Sequence, residues 1–108
     1  QEAFAEKFRA AMTRREPAIR DYFDIDYAVA NGVIDPHDAS WIRMVRQKIQ
    51  VPSNEAIDVS GQRLRALRDQ LEPLLKPVLR IREFQPFDLD RAFTIVADVA
   101  AKLEASQA

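Results

Sequence analysis

Between Glu2 and about Arg15, the apolar residues Phe4, Phe8, Ala11 and Met12 recur at three- and four-residue steps, with Glu6, Lys7, Arg9 and Arg14 between them. One apolar stripe at that spacing marks an amphipathic helix with a single face turned to a core. "REPAI" interrupts it, because Pro17 has no amide hydrogen and disfavours helical geometry at Glu16. The same proline suits the first turn of a following helix. A second helix is expected from about Ala18 to Ala30, with Asn31 and Gly32 supplying a left-handed exit.

"IDPHDASWI" reads as a helix start in which Asp35 caps, Pro36 takes the first helical position and Asp38 adds negative charge at the positive end of the dipole. This third helix should reach about Gln50, burying Trp41, Ile42, Val45 and Ile49 and exposing Arg43, Arg46 and Lys48. Residues 51–59 carry a proline and several turn formers and read as a loop. Ser60 then caps a fourth helix with Leu64, Leu67 and Leu71 on one face. The prolines of "EPLLKPVLRIREFQPF" forbid one continuous helix, though a short turn from Pro73 to Lys76 fits. Asp88 caps the last helix, where Leu89, Phe93, Val96, Val99 or Ala100, and Leu103 repeat up to a frayed "ASQA" end. Strand-like alternation is confined to a weak "VLRIREF" at 78–84. The pattern predicts an all-α fold, a compact bundle of about five helices forming one domain over residues 1–108, with short connections favouring antiparallel neighbours.

Composition narrows the function classes. With 47% apolar and 31% charged residues, the chain has the balance of a globular protein rather than a disordered tail. Sixteen Lys and Arg against 17 Asp and Glu provide no global field for nucleic acid or an anionic membrane. No apolar run approaches the roughly 20 residues needed to cross a bilayer, and no signal-peptide pattern is present. The absence of cysteine excludes a disulfide scaffold and a thiolate metal site, and fits a cytoplasmic address. The chain opens at Gln1 with helix already under way, and is expected to be a piece of a longer protein.

With only Gly32 and Gly61 there is no phosphate-binding glycine loop. The single His37 has no second histidine or cysteine with which to share a metal, so it reads as an ordinary residue of a helix's first turn. On the second helix Asp21 and Asp24 share a face, whereas Asp26 points away and reads as a surface residue. Two carboxylates on one face can hold a hard cation, or one can act as a base. They also suit an exposed first turn with an Arg20–Asp24 ion pair, and local sequence alone favours that plainer reading. Lys7 and Arg14, two turns apart, could offer a row of cations to phosphates or form a solvated face. The cluster Arg63, Arg65 and Arg68 reads as a solvated helix diluted by Asp69 and Glu72, with an RNA backbone as the weaker alternative.

Taken together, "AEKFRAAMTRREPAIRDYFDIDY" at residues 5–27 resembles the later conserved part of the AbiEii/AbiGii nucleotidyltransferase toxin family. Glu6, Lys7, Ala10 and Arg14 match an "EKxxAxxxR" element, and Arg20, Asp21, Asp24 and Ile25 match an "RDxxD" element followed by a hydrophobic residue. The tail "FDLDRAF" has a similar look. The resemblance implies an enzyme that transfers a nucleoside monophosphate from an NTP to an acceptor, often tRNA, as the toxin of a toxin–antitoxin pair. It also implies an upstream "GS…DxD" element on a mixed sheet that holds Mg2+ and triphosphate. That element is missing here, since "DID" at 24–26 lies in a predicted helix with no Gly-Ser before it.

The chain is therefore expected to be the C-terminal helical part of such a protein, inactive alone, with no metal ligands and no tightly bound cofactor of its own. Phosphoryl transfer needs cations round the triphosphate and placed carboxylates. On that basis Lys7 and Asp21 are assigned as catalytic, with Lys7 on phosphate, and Arg14, Arg20 and Asp24 as nucleotide- or substrate-binding. Tyr22, Phe23 and Tyr27 pack or line the site. The expected partners are NTP, tRNA and an antitoxin, with no membrane. The rival reading is a non-catalytic helical protein–protein interaction module that binds an antitoxin or a second copy.

Overall fold

A computed structural model describes residues 2–105, so Gln1 and the "ASQA" end beyond Ala105 lie outside the described residues. Helices α1 (Glu2–Thr13), α2 (Ile19–Ala30), α3 (Ala39–Ile49), α4 (Gly61–Gln70), the single-turn α5 (Ile81–Phe84) and α6 (Leu89–Ala105) account for most of it. Among the described residues there is no strand. The all-α expectation holds, with six helices rather than five, because the weak strand signal at 78–84 resolves into the short α5. The proline-rich stretch is helical in an irregular way. Beyond α4 the chain widens into a π-helical turn over Leu71–Leu75 and then tightens into a 3-10 turn over Lys76–Val78.

Most of the expected punctuation is in place. The Ser60 hydroxyl accepts from the Arg63 amide, Asp88 accepts from the Arg91 amide, and Gly32 takes φ +70 just after α2. The start of α3 is corrected. Asp35 spends its carboxylate on the His37 amide in a tight turn, and Asp38 caps the helix by accepting from the Ser40 amide and hydroxyl. His37 therefore sits in a turn before the helix rather than in its first turn, its Nδ1 2.6 Å from Lys102 Nζ.

α1 packs on α2 and α3, and α2 packs on α6. Their apolar stripes meet in a core that completely buries Phe8, Met12, Tyr22, Ile25, Val45 and Val96, each worth about 1.5–3 kcal/mol relative to exposure. The Phe8 ring meets Trp41 edge-on at 4.5 Å, and Tyr22 stacks on Phe93 at 6.0 Å. With a radius of gyration of 13.5 Å, the chain has the dimension of one compact body of this length.

The C-terminal end of α1 is closed from outside the helix. A helix leaves its last carbonyls without internal partners, and their dipole favours a cation there. The Ala11 carbonyl accepts from the Tyr22 hydroxyl at 2.8 Å and from Arg63 Nε and Nη2 at 3.1 and 2.8 Å, and the Met12 carbonyl accepts from the Asp58 amide at 2.8 Å. Arg63 is thus buried at 5% exposure as a structural clamp, which corrects its reading as part of a solvated arginine cluster. Burial raises the Tyr22 hydroxyl above its ordinary pKa, more than the neighbouring Arg63 lowers it.

Candidate functional site: a cation–carboxylate face between two helices

The Pro17 turn reverses the chain, so that α1 and α2 run side by side in opposite directions. Lys7 comes opposite Asp24, Ala11 opposite Tyr22, and Arg14 opposite Asp21. Lys7 and Ala11 on α1 and Arg14 just past its end are spaced by four and three, and on α2 Arg20 and Asp21 lie four and three residues before Asp24, so each set emerges on one side. All five residues assigned from the sequence therefore gather in one place.

Lys7 Nζ lies 2.7 Å from Asp24 Oδ2 and 3.7 Å from Asp21 Oδ1. Arg14 Nη1 is 3.5 Å from Asp21 Oδ2, at the outer limit of a hydrogen bond. Arg20 Nε lies 3.2 Å from Asp24 Oδ1, and its guanidinium rests over the Phe23 ring at 5.5 Å. Two carboxylates thus share three cations. Asp24 holds the shorter contacts. Asp21, whose side chain is only 10% exposed, holds only the longer ones and sits in the first turn of α2, where the helix dipole supports its charge. The arginines stand half in solvent, Arg14 at 52% and Arg20 at 55% side-chain exposure, so they can leave their carboxylates for an arriving anion.

The donor set does not suit a divalent metal. Mg2+ wants oxygen ligands in octahedral array, whereas the oxygens of Asp21 and Asp24 already face Lys7, Arg14 and Arg20. Among the described residues no three His, Asp or Glu side chains come together to hold an ion.

Asp26 corrects the sequence reading. It is buried at 5% exposure, and Arg91 Nε and Nη2 donate to its two oxygens at 2.8 Å each. This bidentate pair ties α2 to the start of α6 and raises the Arg91 pKa still further. Nothing local could reveal it, since the partners are 65 residues apart. Arg68 pairs with Asp90 at 2.8 Å on the surface, so the expected arginine cluster divides among separate partners. Tyr22 packs in the core, whereas Phe23 and Tyr27 line a recess beside the charged face.

The molecule is a small helical protein whose organised polar face sets three cations around two carboxylates. A family model described as the nucleotidyl transferase AbiEii toxin of a type IV toxin–antitoxin system matches residues 1–101. The chain belongs to the AbiEii nucleotidyl transferase toxin family. No curated protein and no solved structure gives a match.

Proposed function

We propose that this chain is the C-terminal helical part of a longer nucleotidyltransferase toxin, and that its α1–α2 face handles the phosphates of an NTP during transfer of a nucleoside monophosphate to an acceptor such as tRNA. The observation that supports this reading is the convergence of Lys7, Arg14, Arg20, Asp21 and Asp24, from two separate sequence elements, on one face. In such a transfer the acceptor hydroxyl gives its proton to a carboxylate, the part open to Asp21, as its oxygen bonds to the α-phosphorus, the bond to the β-phosphate oxygen breaks, and pyrophosphate leaves. Negative charge grows on the leaving phosphates, and fixed cations at that point lower the barrier.

Lys7 turns from Asp24 to phosphate, Arg14 supports it, and Asp21 is the carboxylate at the reacting centre. Asp24, itself contacted by Arg20, holds Lys7 in place between turnovers. Mg2+, which neutralises the triphosphate when bound, would be held by a sheet-borne "GS…DxD" element outside this chain. An antitoxin is the expected counterpart of such a toxin. No helix of the described residues is long and apolar enough to cross a membrane, which accords with a proposed cytoplasmic address.

The test is nucleotide transfer to bulk tRNA by the full-length protein, with labelled triphosphates and magnesium. Labelling should be lost in folded Lys7→Ala and Asp21→Asn, and unchanged labelling in both would overturn the reading. A second reading has its own observation. Leu74, Val78 and Ile81 are 59%, 63% and 71% exposed on one irregular segment, beside an apolar groove of about 400 Å3, as in a protein-interaction module. Under that reading Lys7→Ala leaves labelling intact, and Ile81→Glu abolishes capture of a partner.

A further inference from the structure

Beside the charged face, on the same helix, lies a recess of about 170 Å3 lined by Phe23, Asp26, Tyr27, Asn31, Phe87 and Arg91 among others. Its walls are aromatic. The Phe23 and Tyr27 rings are inclined at 29° with centroids 6.3 Å apart, and Phe87 meets Phe23 at 67° and 5.6 Å. Phe23 is buried by its neighbours, but Tyr27 is 59% exposed, which is unusual for a ring with so much apolar surface to cover.

We propose that this recess takes the nucleobase of the NTP whose phosphates lie at Lys7, with Tyr27 as the stacking platform. The inference rests on the function proposed above. Arg20, Asp24 and Tyr27 fall at i, i+4 and i+7 along one strip of α2. Asp24, which holds Lys7 at 2.7 Å, and Tyr27 are about one turn apart on that strip, roughly 4.5 Å along the axis at about 1.5 Å per residue, so phosphates at Lys7 and a base at Tyr27 are neighbours. Arg20 joins the two halves physically, since one guanidinium contacts both Asp24 and the Phe23 ring.

The recess also carries polar groups at its edge. Arg91 commits Nε and Nη2 to Asp26, and Nη2 also to the Pro86 carbonyl, which leaves Nη1 as a donor. Asn31 commits its amide NH2 to the Tyr27 carbonyl, which leaves its side-chain oxygen as an acceptor. A planar heterocycle with both donor and acceptor edges matches this set. The Asp26–Arg91 pair then has a second use, because a bidentate carboxylate fixes the direction of the remaining guanidinium nitrogen.

The experiment is calorimetric binding of each of the four NTPs, of inorganic tripolyphosphate and of a short single-stranded RNA with a free 3′ end, to the full-length protein in magnesium. Tyr27→Ala should weaken the tightest NTP roughly tenfold, the loss of one stacked base, and leave tripolyphosphate unchanged. Tyr27→Phe should stay within about twofold of wild type, because the ring rather than the hydroxyl is used. Lys7→Ala should weaken both ligands. Equal NTP binding by wild type and Tyr27→Ala, with Lys7→Ala still defective, overturns the base recess and leaves the phosphate face standing. Tripolyphosphate binding untouched by Lys7→Ala overturns the phosphate reading itself. A Tyr27→Ala defect seen only with a single-stranded RNA 3′ end, and not with NTP, also overturns the proposal by giving the recess to the acceptor.

Discussion

Helix α2 carries two kinds of carboxylate within six residues. Asp26 is saturated, with both oxygens in short, parallel bonds to one arginine. Asp21 and Asp24 are shared, drawing on three cations at distances from 2.7 to 3.7 Å. With both oxygens taken, the Asp26 carboxylate itself meets no ligand and acts by holding α2 and α6 in register and by aiming the rest of the Arg91 guanidinium. A shared, half-exposed network can trade one partner for another at little cost, which is what a site for a transient anion requires.

Substitution should separate the shared carboxylates from the saturated one. The largest effect is expected from Lys7→Ala, which should lower nucleotide transfer by the full-length protein about 10²–10³-fold while shifting urea unfolding of this chain by only about 0.5 kcal/mol or less. A large loss of stability would place Lys7 with the structural pairs. Arg63→Ala should do the opposite by removing the clamp on the Ala11 carbonyl. A cost of about 2–4 kcal/mol in urea unfolding is expected from lost charged hydrogen bonds and stem packing. Asp26→Asn should cost less, about 1–2 kcal/mol by thermal unfolding, because Arg91 is half exposed and can find water.

The smallest effect concerns pH. Hydrogen bonds from the Ser60 side chain and amide hold Asp58 below its ordinary 3.8, with Arg63 adding a weaker pull. A carboxylate with a lowered folded-state pKa contributes stability above its unfolded value, and that contribution is lost as pH falls below 3.8 through the folded value. Asp58→Asn should therefore flatten the acid limb of the stability profile by about a few tenths of a kcal/mol, since the group is half exposed.

The main helices were legible because their apolar stripes, cap residues and breaking prolines agree with one another. The five candidate residues stand out through the family resemblance, since local pattern alone favours an exposed ion pair. That they meet in space follows from helical spacing and from the short proline turn that sets α1 and α2 antiparallel. What escaped depends on distant partners. Arg63 looks like any solvated arginine until the Ala11 carbonyl, 52 residues away, is known to need a donor. Asp26 likewise looks free until α6 brings Arg91 to it. At the start of α3 the sequence pattern points to a cap at Asp35, three residues early, because Pro36 suits a first helical position; the turn closed by the Asp38 amide on the Asp35 carbonyl keeps that stretch out of the helix and leaves the cap to Asp38.

The π-helical turn at Leu71–Leu75 makes the chain sensitive to length in a way that its composition is not. In a uniform α-helix Leu74 would lie closest to the line of Leu67, seven residues on. The wider turn, closed by the Lys76 amide on the Leu71 carbonyl, advances each residue less, so that Leu75 takes the inward position and Leu74 faces out. Deleting one residue here would rotate everything downstream by about a quarter turn, taking Leu75 off the core line. Substitutions at Glu72 or Leu74, both exposed, leave that line undisturbed. The segment behaves as a spacer whose count of residues is constrained more tightly than their identities.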